Sequence, residues 1–267
     1  RDCKTARPVI VSNVIQGRNS MKKIVVLAAS IALLSGGIAL AKAPAAVTTA
    51  IADKNRPADD VSRDPDRKPA AMLEFAGVKT GDVVVDLIPG KGYFSRLFSD
   101  VVGPTGHVYA FEPTEFDEEF KKFKIDVPSG TMPNYPNVTY IHASIAKLPI
   151  PQPADVIWTS QNYHDLHDKF AGPVDIAAFN KAVFDNLKHG GVFIVLDHAA
   201  PGTGLADTDT LHRIDPAVVK KEVTAAGFKF VGESKVLRNP ADDHSKPVFD
   251  KSIRGKTDQF VYKFRKP

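Results

Sequence analysis

The 267-residue sequence contains one cysteine, Cys3, and none beyond it. The rest of the chain can therefore form no internal disulfide, no Cys-ligated zinc site and no thiolate nucleophile. A basic surface is also missing. Six of the 35 Lys and Arg residues and one of the 31 Asp and Glu residues lie before Lys42, which leaves 29 and 30 and a net charge of −1. The formal charge of +4 thus belongs to the first forty residues, and the remainder has no electrostatic footprint for nucleic acid. Long apolar runs are scarce: residues 24–34 are almost wholly apolar, but Ser35-Gly36-Gly37 interrupts them and the run is short for a bilayer span, with a retained N-terminal anchor as the lesser alternative. Internal repeats are absent as well.

What is there begins with an address. Met21-Lys22-Lys23, the short apolar stretch and Ala39-Leu40-Ala41 have the order of a positive n-region, an h-region and a small-x-small cleavage site. Residues 21–41 are expected to be a signal peptide cut after Ala41, and the chain to be periplasmic or secreted. No cysteine follows the apolar run, so a lipoprotein anchor is excluded. Residues 1–20 precede a better start at Met21 and are expected to be a non-native extension. Residues 42–65, rich in Ala, Pro and Asp, read as a flexible lead-in. Residues 66–267 are left as one domain, with 43% hydrophobic residues in the chain to supply a single core.

Along that domain, strand patterns alternate with helical ones. Helices are expected over 67–76, from Gly92 to Val101, around 116–123, over 176–187 and over 216–226. Strands are expected at 83–87, 107–112, 138–142, 154–159, 192–196, 228–237 and 259–264. Pro216 at a first-turn position and Gly227 just past the end mark the last helix, with Asp215 as its N-cap. Trp158, inside a buried strand pattern, is expected in the core. The order implies an α/β, Rossmann-like doubly wound sheet, mostly parallel and seven-stranded, with a C-terminal antiparallel hairpin because no helix separates the last two strands.

Val83-Val84-Val85-Asp86-Leu87-Ile88-Pro89-Gly90-Lys91-Gly92-Tyr93-Phe94 resembles the first motif of class I S-adenosylmethionine-dependent methyltransferases. Gly90 and Gly92 lack side chains where a strand turns into a helix and backbone approaches a ligand. Glu112, about twenty residues on, ends the second strand, where an acid accepts hydrogen bonds from ribose hydroxyls in such folds. His189-Gly190-Gly191 resembles the turn before the family's fifth strand, and Ala225-Ala226-Gly227-Phe228 its last helix and hairpin. More narrowly, Arg63 to Pro69, Asn162-Tyr163-His164, Leu196-Asp197-His198, His212 to Asp215 and Gly255 to Phe260 resemble a group of secreted, predicted methyltransferases of Gram-negative bacteria. Two departures stand out. Ile88 occupies the first glycine position of the motif, and because a β-branched residue avoids positive φ, the turn is expected to differ locally. Ser144 stands where an acid commonly follows the third strand.

Ligands of this fold sit outside the carboxyl ends of the strands. The resemblance implies S-adenosylmethionine as cofactor, with Asp86, Leu87, Ile88, Gly90, Gly92 and Tyr93 around its methionine portion and Glu112 on its ribose. Ser144 and Ile145 would flank the adenine, and Ser160 and Asn162 would close the site. His164 is the expected general base, since imidazole titrates near neutrality. His198 is a second candidate, and Asp197 an orienting or substrate-contacting acid. His164, Asp165, His167 and Asp168, with His198 and His212, also suggest a metal, but adjacent loop acids and histidines commonly serve as caps and surface groups, and no metal is assigned. The expected function is methyl transfer to a small-molecule or lipid-like acceptor, without nucleic acid. The alternative is a non-catalytic ligand-binding protein that keeps the fold. A nicotinamide-dependent oxidoreductase is disfavoured by the incomplete glycine motif and the terminal hairpin.

Overall fold

A computed structural model of the protein describes residues 44–267. Cys3, the expected extension at 1–20 and the expected signal peptide at 21–41 with its cut after Ala41 lie outside the described residues.

The segment expected as a lead-in carries helical structure from Ala45 onward, which its composition does not announce. Helices α1 (Ala45–Ile51), α2 (Ala58–Ser62) and α3 (Asp64–Arg67) fill it, and Val47 and Ala50 are buried in the core. Its acids have partners far along the chain. Asp64 accepts from Arg56 at 2.6 and 2.9 Å and from the Tyr93 hydroxyl at 2.6 Å. Asp60 pairs with Arg96 at 2.8 Å, and Asp53 accepts from the Tyr135 hydroxyl at 2.7 Å. Composition carries no trace of such remote pairing. The helix expected over 67–76 is split: α4 runs Pro69–Ala76, and Lys68 sits at φ 49° between α3 and α4. Proline at 69 disfavours helical geometry in the residue before it.

From there the alternation holds. β1 (Val83–Leu87) leads to α5 (Tyr93–Val102), β2 (His107–Pro113), α6 (Asp117–Phe123), β3 (Thr131–Met132), β4 (Tyr135–Ala143) and β5 (Ala154–Ser160). α7 (Ile176–Asn186), β6 (Leu187–His198), α8 (Thr208–Leu211), α9 (Pro216–Ala225), β7 (Lys229–Ser234) and β8 (Gln259–Arg265) complete it. The sheet order is β3-β4-β2-β1-β5-β6-β8-β7. The five strands from β4 to β6 are parallel, and β8 and β7 add the expected antiparallel hairpin. The sheet has eight strands rather than seven, because the two-residue β3 pairs antiparallel with β4. A strand that short has no periodicity to read.

Alternation along each strand divides the core between the two faces of the sheet. On one, Val85, Leu87, Phe111, Ile157, Phe193 and Phe264 pack with Phe179 and Val183 of α7 and Val219 and Val223 of α9. On the other, Val84, Val108, Val156, Trp158 and Ile194 pack with Met72 of α4 and Phe94, Leu97 and Phe98 of α5. Each fully buried side chain of this size contributes about 1.5–3 kcal/mol. Trp158 is in the core as expected, its ring centroid 4.7 Å from that of Phe94. Among the described residues, no helix is long and apolar enough to cross a membrane. The carboxyl ends of β2, β1, β5 and β6 lie side by side on one edge of the sheet, which fixes where the site must be.

Candidate functional site

The β1–α5 turn is the first wall. Ile88 takes φ 55°, which corrects the expectation that a β-branched residue would force a different turn. The turn keeps the left-handed conformation and Ile88 bears the strain, of order 1–3 kcal/mol. Two hydrogen bonds hold it there: its N–H donates to Phe111 O at 2.8 Å, and Asn162 Nδ2 donates to its carbonyl at 3.0 Å. Asn162 also donates to Ser160 O at 2.8 Å, so these two residues tie the β5 loop to the β1 turn. Leu87 is core. Gly90 has φ 55°, and a Cβ there would meet nothing within 4 Å, so its backbone faces open space. Gly92 is different: an added Cβ would lie 2.7 Å from Met132 Cε, so its role is packing under the turn. Tyr93 is buried, with its hydroxyl on Asp64 and the Arg67 guanidinium 4.7 Å over its ring.

Two carboxyl groups lie buried beyond that turn. Asp86 accepts from Ser95 Oγ at 2.6 Å; burial pushes its pKa up to about 7 against the opposing pull of that hydroxyl and of Arg67. Burial, aided by the charge of Asp86, pushes Glu112 up to about 8, and the Gly90 amide opposes this. Glu112 Oε2 is buried without a hydrogen-bond partner. An orphaned acceptor of this kind costs about 1–3 kcal/mol or more and fits a site completed by a ligand's donors.

The third wall follows β4. Ser144 Oγ donates to Glu115 Oε1 at 2.8 Å, and the Ile145 N–H donates to the same carboxylate at 3.0 and 3.1 Å. The acid missing after the third strand is thus supplied from the short turn Thr114–Phe116 after β2. Glu115 was not among the expected residues, although it follows Glu112 by three positions. Arg67 was also missed. Arg67 donates to Gln161 Oε1 at 2.9 Å, and Gln161 donates on to Gln259 at 3.0 Å, closing the N-terminal segment over the edge of β5 and β8.

The fourth wall is a polar cluster after β5 and β6. Asp197, fully buried at the end of β6, accepts from the backbone N–H of His164 at 2.8 Å, from its Nδ1 at 2.8 Å and from the N–H of His198 at 2.7 Å. His164 Nε2 faces Asp165 Oδ1 at 3.1 Å and His212 Nδ1 at 3.3 Å. Burial alone would depress the His164 imidazole, but the carboxylates of Asp197 and Asp165 outweigh it and hold its pKa well above the usual value. Burial would likewise raise Asp165, yet the His164 cation takes it down to about 2. His164 is therefore an imidazolium in this arrangement, donating to two acids. His198 is separate: its Nδ1 lies 2.7 Å from Thr257 Oγ1, and burial lowers its pKa to about 3, so it is neutral. His167 turns away to Glu222 at 3.2 Å. Asp168 is buried with both carboxylate oxygens unpartnered; the Thr208 hydroxyl is near enough to oppose the rise that burial causes but does not reach bonding geometry.

No family model matches the chain. Its sequence is similar to ubiquinone/menaquinone biosynthesis C-methyltransferases UbiE. That of Saccharophagus degradans is 29% identical over 136 residues, 51% of this chain and 50% of that protein. That of Ectopseudomonas mendocina is 26% identical over 197 residues, 72% of this chain and 65% of that protein. The chain thus spans half to just under two thirds of the length of these relatives. Among solved structures, a SAM-dependent methyltransferase from Aquifex aeolicus superposes with TM-score 0.47 at 19% identity, over 73% of this chain and 87% of that one. The sheet itself is that of a Rossmann-like doubly wound α/β fold with a terminal antiparallel hairpin, and the chain is similar in sequence to S-adenosylmethionine-dependent methyltransferases of the UbiE type.

Proposed function

We propose that the protein is an exported S-adenosylmethionine-dependent methyltransferase that acts on a small or lipid-like acceptor. The single observation that carries the cofactor assignment is Glu112: a buried carboxyl at the end of β2, one oxygen orphaned, beside the open backbone of Gly90. A vicinal diol would satisfy it. The Ile88–Gly92 turn would hold the methionine portion, and Ser144 and Ile145, fixed by Glu115, would flank the adenine.

When bound, the cofactor supplies an electrophilic methyl group, and methyl transfer asks the protein mainly for in-line placement. Asn162 contributes by locking the β5 loop to the β1 turn, so the acceptor side and the cofactor side move as one. Asp197 fixes His164 at the acceptor side. There the carboxylate of Asp165, kept ionised by the His164 imidazolium, would accept a hydrogen bond from the acceptor's polar atom and orient it. The lipid-like acceptor is supported by the quinone-biosynthesis relatives and by Phe249, 57% exposed, whose ring centroid is 4.8 Å from that of His212. Export is supported by the signal-peptide pattern at 21–41 and the small-x-small sequence ending at Ala41.

A non-catalytic ligand-binding protein is the second reading, favoured by an imidazolium at His164, which has no lone pair to act as base. Calorimetric titration with S-adenosylmethionine and S-adenosylhomocysteine tests the cofactor, and Glu112→Ala is the control. Saturable binding that Glu112→Ala weakens at least about tenfold is expected; folded protein that binds neither ligand sinks the methyltransferase reading. With binding in hand, methyl transfer to quinol-type acceptors separates enzyme from binding protein. Recovery of periplasmic protein starting at Lys42 tests export.

A further inference from the structure

We propose that His164, Asp165, Asp168 and His212 form a binding site for one divalent transition metal of the zinc class, at the acceptor side of the sheet edge. One ligand atom from each of the four lies within 4.8 Å of all the others. The close pairs are His164 Nε2 to Asp165 Oδ1 at 3.1 Å, His164 Nε2 to His212 Nδ1 at 3.3 Å, His212 Nδ1 to Asp165 Oδ1 at 3.6 Å and His212 Nδ1 to Asp168 Oδ2 at 3.9 Å. A tetrahedral ion with bonds of about 2.0–2.1 Å separates its donor atoms by about 3.3 Å. The observed spacings bracket that value, so small side-chain shifts complete the shell.

Three further observations point to a ligand. Asp168 has a side chain only 1% exposed, and neither of its oxygens has a hydrogen-bond partner. An isolated buried carboxylate is expensive, and a cation removes the cost. Asp197 holds His164 by Nδ1 and leaves Nε2 pointing into the cluster, the carboxylate–histidine arrangement that orients a metal-binding imidazole; the ion would take the place of the Nε2 proton, which is released on binding. His212 is kept in the left-handed region at φ 53°, at the end of α8, and that backbone turns its Nδ1 toward Asp165 and Asp168. Strain of this kind is retained where surrounding structure and function over-determine it. Two imidazole nitrogens with two carboxylates favour zinc, cobalt or ferrous iron over magnesium or calcium, which take oxygen donors.

The set is only partly legible in His164-Asp165-Leu166-His167-Asp168. His167, the natural partner of His164 by spacing, is bonded to Glu222 instead, and its place is taken by His212 from a distant segment. The proposal does not depend on methyl transfer, because metal uptake is measured without cofactor or acceptor.

Chelator-treated protein is titrated with Co²⁺ alone and followed by visible absorption, with circular dichroism to verify folding. One equivalent taken up, with the intense bands of four-coordinate cobalt and displacement by Zn²⁺, is the expected result. His212→Ala removes a half-exposed ligand without emptying the core and should weaken uptake at least about tenfold. Asp168→Asn should do the same, whereas His189→Ala, on the far surface, should change nothing. Folded wild-type protein that takes up no stoichiometric Co²⁺, or uptake unaffected by His212→Ala, overturns the proposal even if Asp168→Asn fails to fold.

Discussion

Asp197 holds His164 twice, once through the backbone N–H and once through Nδ1, both at 2.8 Å. One carboxylate therefore fixes the position and the ring orientation of the residue that leads the β5 loop. The contact also joins the ends of β5 and β6, so it serves fold and site together.

Asp197→Asn is expected to destabilise the protein by about 2–4 kcal/mol, because an amide cannot accept from all three donors and leaves a buried imidazolium without its main counter-charge. Urea denaturation with a folded baseline measures it. A loss below about 0.5 kcal/mol would mean that the pairing contributes nothing beyond an ordinary surface contact.

The raised pKa of Glu112 makes a prediction about pH. The folded value, about 8, lies above the ordinary carboxylate value, so the folded state keeps a proton that the unfolded state has lost. The stabilisation is complete below the unfolded value near 4.5 and disappears as pH rises through about 8. Ligand-free wild type should therefore lose stability relative to Glu112→Gln between pH 5 and pH 9, by on the order of a few kcal/mol. Cofactor affinity should run the other way, strengthening as Glu112 ionises and becomes a double acceptor. Thermal melts and calorimetry at stepped pH test both, and a pH-independent difference between the two proteins would remove the buried-carboxyl account.

Gly90 and Gly92 separate ligand binding from folding. Gly90→Ala meets no atom within 4 Å, so its stability cost should be the left-handed backbone penalty alone, about 1–2 kcal/mol. Its effect on cofactor affinity should be larger, because the methyl group would stand in the open space that the Gly90 backbone faces. Gly92→Ala adds a clash with Met132 Cε to the same backbone penalty, but the end of a methionine side chain can move aside, so it should cost only about 1 kcal/mol or less beyond that penalty. Paired with Met132→Ala, it should lose most of the clash. Equal affinity in wild type and Gly90→Ala would place the ligand elsewhere.

The fold was readable wherever the signal was local. β1 is apolar apart from Asp86, and α9 carries its own start in Asp215-Pro216, with the Asp215 side chain accepting from the Ala217 N–H at 2.8 Å. Both follow from neighbours in sequence. The place of Glu112 near the end of β2 was likewise readable by position. What stayed hidden was made by remote residues: Glu115 reaching Ile145, Arg67 reaching Gln161, His212 displacing His167. Ile88 was misjudged because propensity was weighed without the two hydrogen bonds that hold it at φ 55°. A local rule states what a residue prefers, and these bonds decide what it accepts.

The lead-in offers the sharpest contrast between composition and structure, and Arg56 is the residue to test. Its side chain is fully buried, and its guanidinium meets Asp64 at 2.6 and 2.9 Å and the Ile51 carbonyl at 2.9 Å. Asp64 in turn receives the Tyr93 hydroxyl at the first turn of α5. Removing Arg56 leaves that half-buried carboxylate without its cation and a cavity beneath α1, and breaking a buried pair in this way costs about 3–5 kcal/mol. Arg56→Ala should therefore lower the midpoint of global unfolding and expose residues 44–67 to proteolysis before the rest of the chain. A flexible lead-in would give neither effect, because its arginine would be solvated in folded and unfolded states alike. Loosening here should also reach the cofactor: Tyr93 and Arg67 pack over the β1–α5 turn, so binding measured by calorimetry should weaken in Arg56→Ala although the substituted residue touches no expected ligand.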